Sequence, residues 1–174
     1  MLMVLAAGVL GGCATKPPEV ATYYDPYTHS RTDLTAENVL EQQGPGPVRE
    51  VVWLNASRVF LDARNFQYYL EVEYMARSET GYLDIPPGET LVVLADGQEL
   101  KFAGSGSLNS RKEHKDQVRE RAIYAASGAQ LRTIAGAQSV KVSILGRNGI
   151  VQRDFNAANF DRFRQFVQQF VTSG

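Results

Sequence analysis

The chain has 174 residues, of which 44% are hydrophobic and 21% are charged, and its formal net charge is -1. This composition is typical of a globular protein with a core of ordinary size. It lacks the basic excess of a general nucleic-acid binder, so no nucleic-acid partner is predicted. A single cysteine excludes an intramolecular disulfide and a cysteine-rich zinc site.

An apolar run without any charged residue occupies residues 1–12. A helix that crosses a bilayer needs about 20 apolar residues, so this run is too short to span a membrane. Its length fits the apolar part of a secretory signal peptide, which has about 7–15 residues. Signal peptides usually begin with Lys or Arg, and their absence here favours a true start upstream of Met1.

The run ends in Leu10-Gly11-Gly12-Cys13, an aliphatic residue and two small residues before a cysteine. This sequence resembles the lipobox of bacterial lipoproteins, although the resemblance covers only the N-terminal residues. It implies that residues 1–12 are a signal peptide and that Cys13 carries a diacylglyceryl thioether. It also implies acylation of the new amino group, commonly with palmitate. Because Ala14 rather than Asp follows the cysteine, it implies the periplasmic face of the Gram-negative outer membrane.

Residues 13–34 are predicted to form a flexible tether behind the lipid anchor. Proline and polar residues dominate this segment, and no period of a helix or strand is sustained. Tyr23, Tyr24 and Tyr27 interrupt it. These tyrosines either pack on the domain of the same chain or form a short recognition segment that orders on a partner.

A single folded domain is predicted for residues 35–174. Thr35 is a candidate cap for a short helix over 36–43, which a Gly-Pro-Gly-Pro run would end. Hydrophobic alternation and β-branched residues predict strands, with Leu70, Val72 and Tyr74 on one face of the clearest example. The predicted strands cover residues 51–61, 68–76, 91–95, 99–102, 118–124, 139–145 and 150–154.

Turn and cap residues place the remaining elements. Asp96-Gly97 and Asn148-Gly149 are strong signals for two-residue hairpin turns, because such turns favour positive φ angles. Ser127 is the candidate cap of a helix that reaches residue 135. Asn156 is the candidate cap of a C-terminal helix whose apolar residues recur at helical spacing. That stripe consists of Phe160, Phe163, Phe166, Val167, Phe170 and Val171.

These elements predict an α+β fold. Consecutive hairpins imply an antiparallel sheet of about five to seven strands, and the C-terminal helix is expected to lie across one face as the second layer of a two-layer sandwich. No internal repeat is apparent.

The basic cluster Arg111, Lys112 and Lys115 is the main candidate site in the domain. Acidic residues lie between these cations, which is typical of a solvated edge that resists strand pairing. The alternative is a docking patch for a phosphate, a cell-wall carboxylate or a protein partner. The nearby Gly-Ser segment 104–107 lacks the Lys and the helix that a phosphate loop needs, so a mobile hairpin loop is expected there.

No catalytic residues, metal ligands or cofactor site are predicted, because none of the motifs that carry such chemistry occurs. The predicted function is a non-enzymatic interaction or scaffolding lipoprotein of an envelope assembly, held by lipid and bound to envelope protein partners. One alternative is a ligand- or lipid-binding module with a cavity beside Phe160 or Phe163. Another is a cell-wall or glycan hydrolase, which requires a cleft with two carboxylates at catalytic separation.

Overall fold

A computed structural model of the protein describes residues 20–28, 30–35, 37–42, 50–62 and 65–171. In these ranges the chain forms eleven strands, two α-helices and one short 3-10 helix. The strands are β1 (Val20–Asp25), β2 (Ser30–Thr35), β3 (Val39–Leu40), β4 (Glu50–Phe60), β5 (Phe66–Arg77), β6 (Gly88–Ala95), β7 (Gln98–Gly104), β8 (Lys112–His114), β9 (Gln117–Ala126), β10 (Val140–Gly146) and β11 (Gly149–Asp154). The helices are α1 (Gly128–Gly136), α2 (Ala157–Phe170) and the 3-10 helix Leu108–Ser110.

The strands form one antiparallel sheet in the order β1-β2-β4-β5-β9-β7-β6-β10-β11, with β3 beside β4 and β8 beside β9. The junction between β9 and β7 is narrow, because only Gly104 and Tyr124 pair across it. A Cβ at Gly104 would lie 2.6 Å from the carbonyl oxygen of Ile123, so this close approach requires glycine. The sheet therefore has two halves that meet at one point.

Strand alternation decides which side chains enter the core. On β5, Leu70, Val72 and Tyr74 are buried, whereas Glu71 and Glu73 lie on the opposite face. The predicted alternation of this strand is confirmed. We call the face that carries Glu71 and Glu73 the outer face of the sheet.

Both predicted helix caps are confirmed as capping boxes. The Ser127 hydroxyl accepts from the backbone N–H of Gln130, and the Asn156 side chain accepts from the backbone N–H of Asn159. The apolar stripes of both helices enter the core that the strands form, and Phe163 and Phe166 are completely buried.

One of the two predicted hairpin turns is confirmed, and the other lies at different residues. Asp96 and Gly97 connect β6 to β7 with φ angles of 47° and 86°, as a type I′ turn requires. The β10–β11 turn lies one residue earlier than predicted, at Arg147 and Asn148, because Gly146 pairs with Gly149. Gly149 therefore opens β11 with a φ of 152°.

The predicted α+β sandwich of about five to seven strands is wrong. Strands make up 55% of the described residues and helices 18%, and the fold is a β-rich one of eleven strands. The difference arises mainly in the N-terminal third of the chain. There, residues assigned to a tether or a helix pair with the long strand β4.

Residues 20–25 and 30–35, of which the sequence placed all but Thr35 in the tether, form the hairpin β1–β2 at the edge of the sheet. The helix predicted over 36–43 is not formed by residues 37–42, where β3 pairs with β4 and Glu37 has a φ of 47°. Thr35 does not cap a helix, because its hydroxyl lies 3.2 Å from Asn55 Oδ1 and 3.0 Å from the backbone nitrogen of Ala56. Tertiary hydrogen bonds thus replace the local cap.

Candidate functional site

The outer face of β5 and β9 carries a ladder of opposite charges. The register places Glu73 opposite Arg121, Glu71 opposite Ile123 and Met75 opposite Arg119, so the four charged side chains of these three rows share one face. Arg121 Nη2 lies 2.5 Å from Glu71 Oε2, and Arg119 forms an ion pair with Glu73. Ser57 Oγ donates a further hydrogen bond to Glu71 at 3.1 Å. Both glutamates are therefore held in place by an arginine of β9.

A concavity of about 690 Å³ lies beside this ladder on the same face. Most of its surface is apolar and comes from neighbouring strands, and Glu71 and Arg121 also line it. Its apolar residues are Val59, Tyr69, Ala103, Ile123 and Ala125.

A second concavity of about 350 Å³ adjoins the first at Arg121, which lines both. Its walls are polar and include the side chains of Lys112, Arg119 and Glu73. We call the two concavities together the outer groove. Its three cations, Lys112, Arg119 and Arg121, face two carboxylates, Glu71 and Glu73, so one positive charge is in excess.

The strand edge beside the outer groove is only partly paired. β7 pairs with β6 along its length but with β9 only at Gly104. Its second edge, from Gln98 to Ala103, therefore has no partner strand among the described residues. Ala103 and Ser105 line the apolar concavity, so this edge borders the groove directly. An extended segment of another chain can pair with such an edge.

A buried polar cluster under β9 positions the cationic rim of the groove. Glu120 is completely buried and accepts hydrogen bonds from the Ser107 hydroxyl and, at 3.0 Å, from the backbone N–H of Asp84. Arg111 Nε lies 3.7 Å from Glu120 Oε2, and its guanidinium also pairs with Asp84. Lys112 follows Arg111 directly, so the buried polar cluster fixes the position of the start of the basic segment, residues 111–115.

Asp84 links the cluster to the β10–β11 turn. Arg147 Nη1 lies 3.1 Å from Asp84 Oδ1, and the backbone N–H of Arg147 donates to the Asp84 carbonyl at 3.0 Å. The hydrogen bond from Arg111, together with the two positive charges, holds the pKa of Asp84 below its ordinary value. Asp84 is therefore ionised at neutral pH and binds both arginines.

A second buried cluster attaches the β1–β2 hairpin to the rest of the fold. The Asp33 carboxylate is buried and accepts from Arg58 Nη2 at 2.8 Å, Arg31 Nη2 at 2.9 Å and Thr22 Oγ1 at 2.7 Å. Burial alone would raise the pKa of Asp33, but these hydrogen bonds outweigh it and hold the pKa below its ordinary value. Arg58 also donates to the carbonyl oxygen of Phe170 at the end of α2 at 3.1 Å.

The residues predicted from sequence do not form one site. Tyr23 and Tyr24 lie on β1 and Tyr27 lies in the turn that follows, and all three are exposed. The basic segment pairs with the start of β9, which lies beside the opposite end of β5 from the tyrosines. β5 has 11 residue steps from Phe66 to Arg77 and is about 37 Å long, which is the scale of the separation between the tyrosines and the basic segment. Cys13 lies outside the described residues.

The three predicted basic residues also separate from one another. Arg111 is partly buried, pairs with Asp84 and lies over the Tyr82 ring with its Cζ 5.2 Å from the ring centroid. Lys112 lines the outer groove, and Lys115 is exposed in the β8–β9 turn with a φ of 55°. Only Lys112 contributes directly to the groove.

Sequence reasoning missed the glutamate of the buried cluster and its serine partner. Glu120 lies between Arg119 and Arg121, and mixed charge of this kind is typical of a solvated edge, yet strand alternation puts Glu120 on the buried side with Val118 and Ala122. The predicted Gly-Ser hairpin loop is instead packed against the core, where Ser107 is completely buried. A charged residue at an apolar position of a strand was the available signal for a buried partner.

The geometry lends little support to the two alternative functions. Phe163 is completely buried and Phe160 packs against the same core, so the open cavity proposed beside them is not found at Phe163. Glu71 and Glu73 are neighbouring carboxylates of the kind a hydrolase would use, but each is paired with an arginine.

Comparison of the chain with known protein families, curated proteins and solved structures finds no match. Among the residues that the structure describes, no three His, Cys, Asp or Glu side chains form a group that could hold a metal ion. No helix in these ranges has the length and apolar character needed to cross a membrane. The feature with the clearest capacity to bind is the outer groove.

Proposed function

We propose that the chain is a non-enzymatic binding subunit of the Gram-negative cell envelope, anchored by lipid at Cys13 to the periplasmic face of the outer membrane. The observation that supports binding is the outer groove, an apolar concavity that adjoins a cationic one. The lipobox-like sequence before Cys13 supports the anchor. Anchoring raises the effective concentration of the domain near envelope partners, so an interface of modest affinity suffices.

The occupant of the outer groove is an extended segment of an envelope protein that carries an apolar side chain beside a carboxylate. The apolar side chain fits between Val59 and Ile123, and the carboxylate meets the positive charge in excess at Lys112, Arg119 and Arg121. Arginine forms paired hydrogen bonds with carboxylates and is over-represented among residues that dominate binding energy. The open edge of β7 offers main-chain hydrogen bonds to the same segment.

Photo-crosslinking in intact cells tests this assignment with two matched positions. A benzoylphenylalanine replaces Ile123, which is 38% exposed in the groove, or Leu94, which is 40% exposed on β6 outside it. We expect a discrete protein adduct from position 123 and none from position 94. Mass spectrometry of the adduct is expected to find an acidic residue within a few positions of the crosslinked one. Equal adducts from both positions, or an adduct with lipid alone, would contradict a protein-binding groove.

Charge reversal at the groove is expected to weaken binding without unfolding the domain. Arg121→Glu removes a partner of the carboxylate on the bound segment and places a third glutamate beside Glu71 and Glu73. We therefore expect the yield of the position-123 adduct to fall about tenfold, a loss of about 1.4 kcal/mol. Glu71 is largely buried but keeps the hydrogen bond from Ser57, so we expect a lower thermal midpoint and a domain that still folds. Lys141→Glu, an equivalent reversal at an exposed lysine of β10 outside the groove, is the control and should leave the yield unchanged.

A further inference from the structure

Exposed apolar side chains are concentrated at one end of the sheet. Of nine large hydrophobic side chains that are exposed in the described ranges, five belong to the β1–β2 and β4–β5 hairpins. The register brings these hairpins together, since Tyr24 pairs with Arg31, Arg31 with Phe60, and Phe60 with Phe66. We call this end the tyrosine tip, formed by Tyr23, Tyr24, Tyr27, Leu61 and Phe66.

Hydrogen bonds and ring contacts hold the tyrosine tip in place. The Asp25 carboxylate accepts from the backbone N–H of Tyr27 at 2.9 Å and from the Thr28 hydroxyl at 2.8 Å, which fixes the turn. The Phe60 and Phe66 rings lie 5.8 Å apart, and Arg58 Cζ is 4.8 Å from the Phe60 centroid. Despite this support, Tyr27 remains 94% exposed. An ordered, exposed apolar patch is typical of a surface that binds something.

The short chain between Cys13 and the sheet keeps the tyrosine tip within reach of the bilayer that holds the anchor. Seven residue steps separate Cys13 from Val20, and they span at most about 25 Å. β1 runs from Val20 toward the tip over five steps, about 17 Å. With the tip on a bilayer, Val20 would stand about 17 Å above it and still lie within reach of a lipid-linked Cys13.

We propose that the tyrosine tip docks on the lipid headgroup surface of the membrane that holds the anchor, an inference that rests on the lipid anchor of the proposed function. Tyrosine rings combine an apolar body with a polar hydroxyl and are enriched at membrane interfaces. Leu61 adds an exposed aliphatic side chain to the tip. The half-exposed guanidinium of Arg31 lies near the tip and would be at the level of the lipid phosphates in the docked protein. Docking places the cationic part of the outer groove away from the bilayer, where it can meet a partner.

Depth-dependent fluorescence quenching in the full-length lipidated chain tests the docking. Tyr27→Trp and Leu108→Trp each add one tryptophan to the single native one, and Leu108 is 72% exposed beside the basic segment. Each protein is reconstituted into vesicles of phosphatidylethanolamine and phosphatidylglycerol, with or without brominated acyl chains. We expect brominated lipid to quench most of the emission added at position 27 and none of the emission added at position 108.

The outcomes separate the docking from the anchor. If the protein floats with the vesicles but the tryptophan at position 27 is not quenched, the docking is wrong and the anchor stands. If the chain with an intact Cys13 does not float with vesicles, the anchor fails and both proposals fail with it.

Discussion

Replacing Glu120 by alanine is expected to lower the free energy of unfolding by about 3–5 kcal/mol. The substitution removes the acceptor of the Ser107 hydroxyl and of the Asp84 backbone N–H, and these donors lie where water does not reach them easily. A buried donor without an acceptor costs about 1–3 kcal/mol. The Glu120→Ala substitution also removes the carboxylate that lies 3.7 Å from Arg111 Nε, so the start of the basic segment loses its attachment to β9. Urea unfolding followed by circular dichroism measures the effect.

Two variants make the Glu120 prediction specific. Glu120→Gln keeps the size and one acceptor oxygen, so we expect a smaller loss, about 1–3 kcal/mol. Glu99→Ala removes an exposed glutamate of β7 and should change stability by less than about 0.5 kcal/mol. If Glu120→Ala and Glu99→Ala have the same small effect on the free energy of unfolding, the buried cluster does not stabilise the fold.

Replacing Arg58 by methionine is expected to cost about 3–5 kcal/mol, because it removes one partner of a buried carboxylate while leaving the carboxylate in place. Methionine keeps most of the apolar stem and removes the guanidinium, whose Cζ lies 4.8 Å from the Phe60 centroid and 4.6 Å from the Phe170 centroid, so the loss reports mainly on the charge. The hydrogen bond to the Phe170 carbonyl oxygen is lost as well. Arg77→Met, at an exposed arginine of β5, is the matched control and should be nearly neutral.

The pH dependence of stability distinguishes this mechanism from a simple loss of packing. Because the folded-state pKa of Asp33 is lowered, its ion pairs stabilise the wild type above the unfolded pKa of about 3.9, and this stability is lost as the pH falls through the folded-state pKa. In Arg58→Met, burial of Asp33 is opposed by fewer hydrogen bonds, so its pKa rises. The stability gap between wild type and variant should therefore narrow on acidification below about pH 4. A constant gap from pH 7 to pH 3 would contradict the role assigned to Asp33.

Local signals in the sequence predicted the elements that depend on nearby residues. The alternation of Leu70, Val72 and Tyr74, the positive φ angles at Asp96 and Gly97, and the caps at Ser127 and Asn156 involve residues close together in the chain. Such features carry their own physical reason, and the structure confirms them.

The β1–β2 hairpin escaped prediction because its stability is not local. Its proline and polar residues are those of a linker, while its buried Asp33 is paired with Arg58 of β4, which lies 25 residues further along the chain. The failed helix after Thr35 has a similar cause. Asn38 Nδ2 donates to the Leu54 carbonyl at 2.7 Å, and Asn159 Nδ2 of α2 donates to Asn38 Oδ1 at 2.8 Å. These partners become visible only when the strands are brought together.

The sequence predicted only part of the outer groove. The alternation on β5 placed Glu71 and Glu73 on the outer face, but their pairing with Arg121 and Arg119 depends on β9 lying next to β5. About 40 residues separate these two strands in the chain, and strand order is not encoded in local pattern. The tyrosines were identified as candidates for recognition, whereas their clustering with Leu61 and Phe66 required the register of the sheet.

The chemical state of residue 13 decides most directly whether this is a lipid-anchored envelope subunit. The measurement is mass spectrometry of the N-terminal peptide of protein purified from membranes. The account predicts a mature chain that begins at Cys13 and carries a diacylglyceryl thioether and an acylated amino group. A peptide that retains residues upstream of Cys13 and has an unmodified thiol would contradict it.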